Sequence, residues 1–162
     1  MSSRAPSLRF LLEHPAHFFA LGLGSGLSPI APGTAGTLFA WLSYDWLRGQ
    51  FSEMGFLLFL FAAFLAGIYA CDKTGRDLGV PDHGAMVWDE IVPFWLILLL
   101  CPEGEWWQAL AFALFRGFDI FKPPPIRALD RSLKNGLGVM ADDALAAGYT
   151  LLVLALAKAA FG

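Results

Sequence analysis

The sequence predicts an all-α fold, an integral membrane helical bundle of about five transmembrane helices with an N-terminal amphipathic or re-entrant segment. Three observations carry this. Hydrophobic residues make up 57% of the 162-residue chain and charged residues only 15%, where a soluble domain holds about a quarter charged residues. The mean hydropathy is +0.57. The apolar residues are gathered into runs separated by polar connections that differ sharply in basic content.

In chain order, Met1 to His17 is a polar, amphipathic lead-in. Gly33 to Leu47 is a first spanning candidate, interrupted by Asp45 near its end. Gly55 to Ala70 (GFLLFLFAAFLAGIYA) carries no charge and is the clearest span, although shorter than the ~20 residues a bilayer asks for. Ile91 to Cys101 follows two acids, and with Met86 to Glu90 added it reaches a crossing length. Trp106 to Phe121 is apolar apart from Arg116 and Asp119. Ala144 to Phe161 is apolar apart from Lys158, which can snorkel to an interface. A fully soluble or membrane-surface bundle is the alternative reading of the shorter segments.

Lys and Arg orient the spans. With the N-terminus inside, Arg4, Arg9, Lys73, Arg76, Lys122, Arg127, Arg131 and Lys134 fall on the inner side and Arg48 alone on the outer. This is the positive-inside pattern, and it places the C-terminus outside. No internal repeat or low-complexity linker divides residues 1–162, so they read as a single domain. No cleavable signal peptide is expected, since the N-terminus lacks a compact apolar stretch ending in small residues. Cys71 and Cys101 lie far apart and show no metal-ligand spacing, so both are expected to be inert thiols. The net charge of −3 is too small to suggest a nucleic-acid partner.

The same topology gathers the polar motifs on one side. Gly22 to Thr37 (GLGSGLSPIAPGTAGT) combines glycines, whose backbone N–H groups can approach an anion, with the hydroxyls of Ser25, Ser28, Thr34 and Thr37. It is neither a Walker A loop nor a dinucleotide fingerprint, and close helix packing explains its small residues equally well. Asp89 and Glu90 open an apolar run behind Asp82-His83-Gly84. Charge at the edge of hydrocarbon usually survives where it has work to do. Oxygen ligands of this kind suit a hard divalent cation, whereas helix capping would account for one such acid but poorly for two. His83 is expected to be a loop residue or a neighbour of a ligand. Arg116, Asp119 and Lys122 are spaced to share one helix face, as a phosphate-binding set or as a structural ion pair. The helix they sit on must stop at Pro123, Pro124 and Pro125. Gly136 to Asp143 (GLGVMADD) opens the last helix with Asp142 and Asp143, which are candidate caps or the second half of a metal site.

These stretches together resemble the phosphatidylglycerophosphatase A family. The resemblance rests on Gly24 to Thr34 (GSGLSPIAPGT), Asp82-His83-Gly84 with Val87-Trp88-Asp89-Glu90, Phe115-Arg116 with Asp119, Lys122-Pro123, Pro125-Ile126 and Asp130, and Gly136-Leu137-Gly138-Val139-Met140 with Asp142-Asp143. They stand in order across Gly22 to Gly148. Ala85, Pro124 and the single Gly136 after Asn135 depart from the family pattern without removing a candidate ligand. The resemblance implies an all-helical fold with helices around a central one, and a Mg²⁺-dependent phosphomonoesterase acting at the bacterial cytoplasmic (inner) membrane. The expected substrate is phosphatidylglycerophosphate held in the bilayer, converted to phosphatidylglycerol and inorganic phosphate, with no obligate protein partner.

On that reading Asp89, Glu90, Asp119, Asp142 and Asp143 hold Mg²⁺. Arg116 and Lys122 cover phosphate charge, and Ser25, Ser28, Thr34 and Thr37 add donors. Asp89, Glu90, Asp143, Arg116 and Lys122 form the catalytic set. Water attack is favoured over a covalent intermediate, because the Cys-x5-Arg, Asp-x-Asp-x-Thr and phosphohistidine signatures are absent. A CDP-alcohol phosphotransferase is the first rival, but Asp82-His83-Gly84-Ala85 lacks the required spacing and arginine. A small ion or proton transporter is the second, and it would place its acids at the bilayer midplane rather than at one side.

Overall fold

The computed structural model describes residues 6–161, and Arg4, counted above among the inner basic residues, lies outside them. Among the described residues all regular structure is helical. The order is α1 (Leu8–Glu13), α2 (Pro15–Ala20), a 3-10 segment (Gly22–Leu27), α3 (Pro32–Arg48), α4 (Glu53–Leu78), α5 (Trp88–Leu100), α6 (Glu105–Phe121), α7 (Ile126–Ser132) and α8 (Gly136–Phe161).

The lead-in folds as two short helices rather than one amphipathic helix. The Ser7 side chain accepts from Phe10 N and caps α1, and His14 Nδ1 accepts from Ala16 N and caps α2 ahead of Pro15. His17 pins this hairpin to α4. Its ring stacks on Phe10, its Nδ1 lies 3.0 Å from the Phe10 carbonyl, and its Nε2 lies 2.7 Å from Asp77 Oδ2. The chain then breaks at Leu23 (φ 56°) and Gly24 (φ 103°) and enters α3 through a left-handed Ala31 followed by Pro32. Proline suits a first helical position, where its missing N–H has no partner to lose.

At the centre stands α5, apolar nearly all round and buried from Trp88 to Trp95, with α3, α4, α6 and α8 packed against it. A helix that is hydrophobic on every face is one surrounded by protein. Helices α4 and α8, of 26 residues each, are long and apolar enough to cross a bilayer, with mean hydropathies of 2.2 and 1.8. Only 33% and 22% of their apolar windows are buried against protein. The core helix of a soluble protein would be mostly buried, so these two exposed apolar helices are consistent with a membrane protein. Helices α3, α5 and α6 have 17, 13 and 17 residues. At 1.5 Å per residue α5 is only about 20 Å long.

Three boundaries differ from the sequence expectations. Residues 86 and 87 do not extend α5: Val87 caps it with a non-helical backbone (φ −135°), and its N–H donates to the Ala20 carbonyl. Past Ala70, α4 continues to Leu78: ion pairs one turn apart, Asp72–Arg76 at 3.2 Å and Lys73–Asp77, support its polar end, and Gly79 (φ 70°) stops it. Helix α8 starts at Gly136, so Asp142 and Asp143 lie well inside it and neither is a cap. Added Cβ atoms at Gly136 and Gly138 would strike the Ile68 and Leu133 carbonyls, which explains why glycine opens this helix. Both cysteines are free thiols, as expected.

Candidate active site

Helices α3, α5, α6 and α8 bring their polar residues to one end of the bundle. Asp89 and Glu90 sit in the first turn of α5, Asp142 and Asp143 within α8, and all four are buried. Burial of this many carboxylates is expensive unless each is paired or holds a cation.

Arg116 of α6 answers for two of the acids. Its Nη1 pairs with Glu90 Oε2 and, at 2.5 Å, with Asp119 Oδ2 one turn along the same helix. The Thr37 hydroxyl of α3 lies 3.0 Å from Glu90 Oε2 and 2.9 Å from the Gly33 carbonyl, and shares its single proton between them. Gly33 is small because a Cβ there would collide with Glu90 Oε1 and Arg116 Nη2. Lys122, the left-handed residue that ends α6 (φ 43°), turns its ammonium back to Asp142 Oδ2 at 2.5 Å and Asp130 Oδ1 at 3.1 Å. Burial works against the charge on Lys122. The hydrogen bonds and charges of Asp142 and Asp130 outweigh it and hold the ammonium ionised well above the usual lysine range. At Asp130 burial likewise opposes ionisation, and the bonds and charges of Lys122 and Lys134 override it, so its carboxyl is held below 3.8.

Asp89 and Asp143 remain. Neither forms an ion pair among the described residues. Among the described residues Asp89 Oδ1 is buried with no hydrogen-bond partner, and no bond reaches the Asp143 carboxylate. Each nevertheless lies within electrostatic range of the other and of Glu90, Asp119 and Asp142. Asp143 is tied to its neighbour only through its backbone N–H, 3.0 Å from Asp142 Oδ1. The Arg116 Nε is also buried without a partner. Six carboxylates (Asp89, Glu90, Asp119, Asp130, Asp142, Asp143) thus surround two buried or half-buried cations, Arg116 and Lys122.

An all-oxygen donor set with uncompensated negative charge and an orphaned Asp89 oxygen fits a hard divalent cation. Among the described residues no three such side chains already converge as an ion cage. The reason is visible in the pairing: Arg116 and Lys122 hold Glu90, Asp119 and Asp142 toward themselves.

The glycine-rich segment lies beside this end of the bundle with most of its hydroxyls engaged by protein. Ser25 Oγ donates to the Gly22 carbonyl at 2.7 Å, Ser28 Oγ to the Ile30 carbonyl at 2.8 Å, and Thr37 supports Glu90. Among the described residues Thr34 has no such bond. His83 is a turn residue whose Nδ1 accepts from Ala85 N. Sequence reasoning did not place Asp130 in the site, although the Gly33 segment was already in it. Asp130 is carried by α7, a helix hidden behind the proline run. The signal for it was the Asp130–Lys134 spacing.

Among the described residues the fold is all-helical, with acids and two cations gathered at one end. The match to the phosphatidylglycerophosphatase A family model covers residues 18–158, and the chain belongs to that family. It is 45% identical over 155 residues to the phosphatidylglycerophosphatase A of Haemophilus influenzae, covering 95% of each chain. It is 42% identical over 142 residues to that of Escherichia coli, covering 85% of this chain and 80% of the relative. A Bacteroides thetaiotaomicron protein named provisionally as a phosphatidylinositol-3-phosphatase is 41% identical over 150 residues, covering 87% and 92%. No solved structure matches the chain. The shared class is a phosphoric monoester hydrolase, and the protein is a phosphatase.

Proposed function

We propose that this protein hydrolyses phosphatidylglycerophosphate to phosphatidylglycerol and inorganic phosphate, in a Mg²⁺-dependent reaction at the inner face of a bacterial cytoplasmic membrane. Family membership supports the substrate. The single structural observation that carries the chemistry is the pair Asp89 and Asp143, buried carboxylates with no cationic partner among the described residues, beside a guanidinium and an ammonium.

In this reading Asp89 and Asp143 are the principal holders of the divalent ion, with Glu90, Asp119 and Asp142 available when they release Arg116 and Lys122. The ion, when bound, would neutralise phosphoryl charge and acidify water. The chain's own residues do the rest. Arg116, with an N–H to spare at Nε, and Lys122 exchange their carboxylate partners for phosphate oxygens. Thr34 and backbone N–H groups of the glycine segment supply further donors to the same oxygens. Carboxylates around the phosphorus orient the attacking water and accept its proton. A new P–O bond forms from water and the ester P–O bond breaks. The alcohol oxygen takes a proton and leaves as the product lipid.

The membrane arrangement is part of the proposal. Helices α3, α4, α5, α6 and α8 cross or enter the bilayer, the shorter ones shielded by α4 and α8. The basic residues Lys73, Arg76, Arg127, Arg131 and Lys134 hold the acidic end inside.

Purified protein should release phosphate from phosphatidylglycerophosphate, lose this activity in EDTA, and recover it with added Mg²⁺. Asp89→Asn and Asp143→Asn should each lower turnover by about 100-fold or more while leaving the protein folded. Near-normal rates in both variants would remove the proposed site. Phosphatidylinositol 3-phosphate assayed alongside decides between the two substrates that the relatives' names carry.

A further inference from the structure

Below the two unpaired carboxylates runs an apolar groove of about 250 Å³ between α4, α5 and α8. Its α5 wall is Val92, Pro93 and Leu96, which lie three, four and seven residues after Asp89 and so continue the face on which Asp89 stands. Its α8 wall includes Ala147, one turn beyond Asp143, and Ala144. The α4 wall runs from Leu57 to Phe64, ~10 Å along the helix axis. No polar side chain lines it, so it offers water no partners. Its mouth is flanked by Phe61, 64% exposed on the outer face of α4, one of the two bilayer-length helices.

We propose that this groove receives one acyl chain of the lipid substrate, so that the chain hangs from a head group held at Asp89 and Asp143. The proposal rests on the phosphatase reading above and adds the tail subsite to it. Continuity selects this groove over the larger one, of about 420 Å³, between α3, α4 and α5. There the α5 wall is Trp88 and Trp95, which point to a different side of the helix from Asp89. The Trp88 indole donates to the Ala63 carbonyl at 3.0 Å, and its ring packs with Phe19 and Trp95 along the wall of that groove.

The groove also gives a reason for the small residues at positions 144 and 147. Larger side chains on α8 there would close the space beside Pro93 and Leu96. Any bilayer lipid could fill an apolar slot passively. A slot that positions the substrate instead contributes to the rate on lipid and contributes nothing to the rate on a tail-free head group.

The test compares dipalmitoyl phosphatidylglycerophosphate in mixed micelles with its deacylated head group, for the unsubstituted protein and for Ala144→Leu. The ratio of kcat/KM for the lipid to that for the tail-free substrate should fall by about tenfold or more, the discrimination an altered apolar pocket supplies. Phe64→Ala, which widens the slot instead of filling it, should shift preference toward a diphytanoyl lipid with branched chains, and carries the test alone if Ala144→Leu does not fold. Ratios within about twofold of the unsubstituted protein in both variants would overturn the tail subsite while leaving the phosphatase reading in place. Failure of the unsubstituted protein to release phosphate from either substrate would overturn the phosphatase reading and the subsite with it.

Discussion

Asp89 and Glu90 are neighbours in sequence and opposites in circumstance. Glu90 is held by Arg116 and Thr37, while Asp89 has an oxygen with no partner among the described residues. Replacing the two therefore has different consequences for stability. Asp89→Asn replaces a buried carboxyl that no cation pairs among the described residues, so its melting temperature should equal or exceed that of the parent even as activity is lost. Glu90→Gln leaves Arg116 with Asp119 alone and should destabilise the fold by about 1–3 kcal/mol, read by thermal unfolding in detergent. Asp130 supplies a pH test. Its folded carboxyl titrates below the ordinary 3.8, so its contribution is complete above the unfolded value and is lost as pH falls through the lower folded one. The stability difference between the parent and Asp130→Asn should be present near pH 7 and shrink as pH falls below the ordinary carboxylate range. A difference independent of pH would mean that Lys122 does not depend on this partner.

Helices α4 and α8 meet through glycines at their polar ends. Gly136 packs where a Cβ would strike the Ile68 carbonyl and crowd Asp72, whose carboxylate accepts the Gly136 N–H at 3.3 Å. Gly67 on α4 makes room for Met140 and Trp88, at 2.7 Å from where a Cβ would lie. Gly136→Ala should force the two helices apart at about 1–3 kcal/mol, because backbone atoms rather than flexible side-chain ends stand in the way. Gly148→Ala, where nothing lies within 4 Å, is the matched control and should leave the melting temperature unchanged or slightly raised. Equal effects from the two substitutions would show that this junction is not close-packed. Element boundaries followed local chemistry where it was decisive. The proline run after Lys122 ended α6 as expected. The polar end of α4 was missed because its charges are reconciled in pairs along the helix itself rather than by leaving it.

The whole molecule is organised around α5, and its orientation is open to direct measurement. With Cys71 and Cys101 replaced by alanine, single cysteines at Gln50 and Glu103 should react with an impermeant thiol reagent applied outside intact cells. A cysteine at Gly84 should react only after the inner face is opened. Reversal of that pattern would place the acidic end on the wrong side of the membrane for this function.

Amino-acid order by itself determined the helical class, since 57% hydrophobic content in runs with few polar breaks suits little else. It also determined the family, because its motifs are local strings of glycines, acids and bases. Which acids are paired was decided only by the tertiary structure. Arg116 reaches back 26 residues to Glu90, and Lys122 forward 20 to Asp142, while Asp89 and Asp143 are left to each other's field. Pairing depends on which helix faces meet at the end of the bundle. Side-chain periodicity states what a face carries, but only packing states what that face meets.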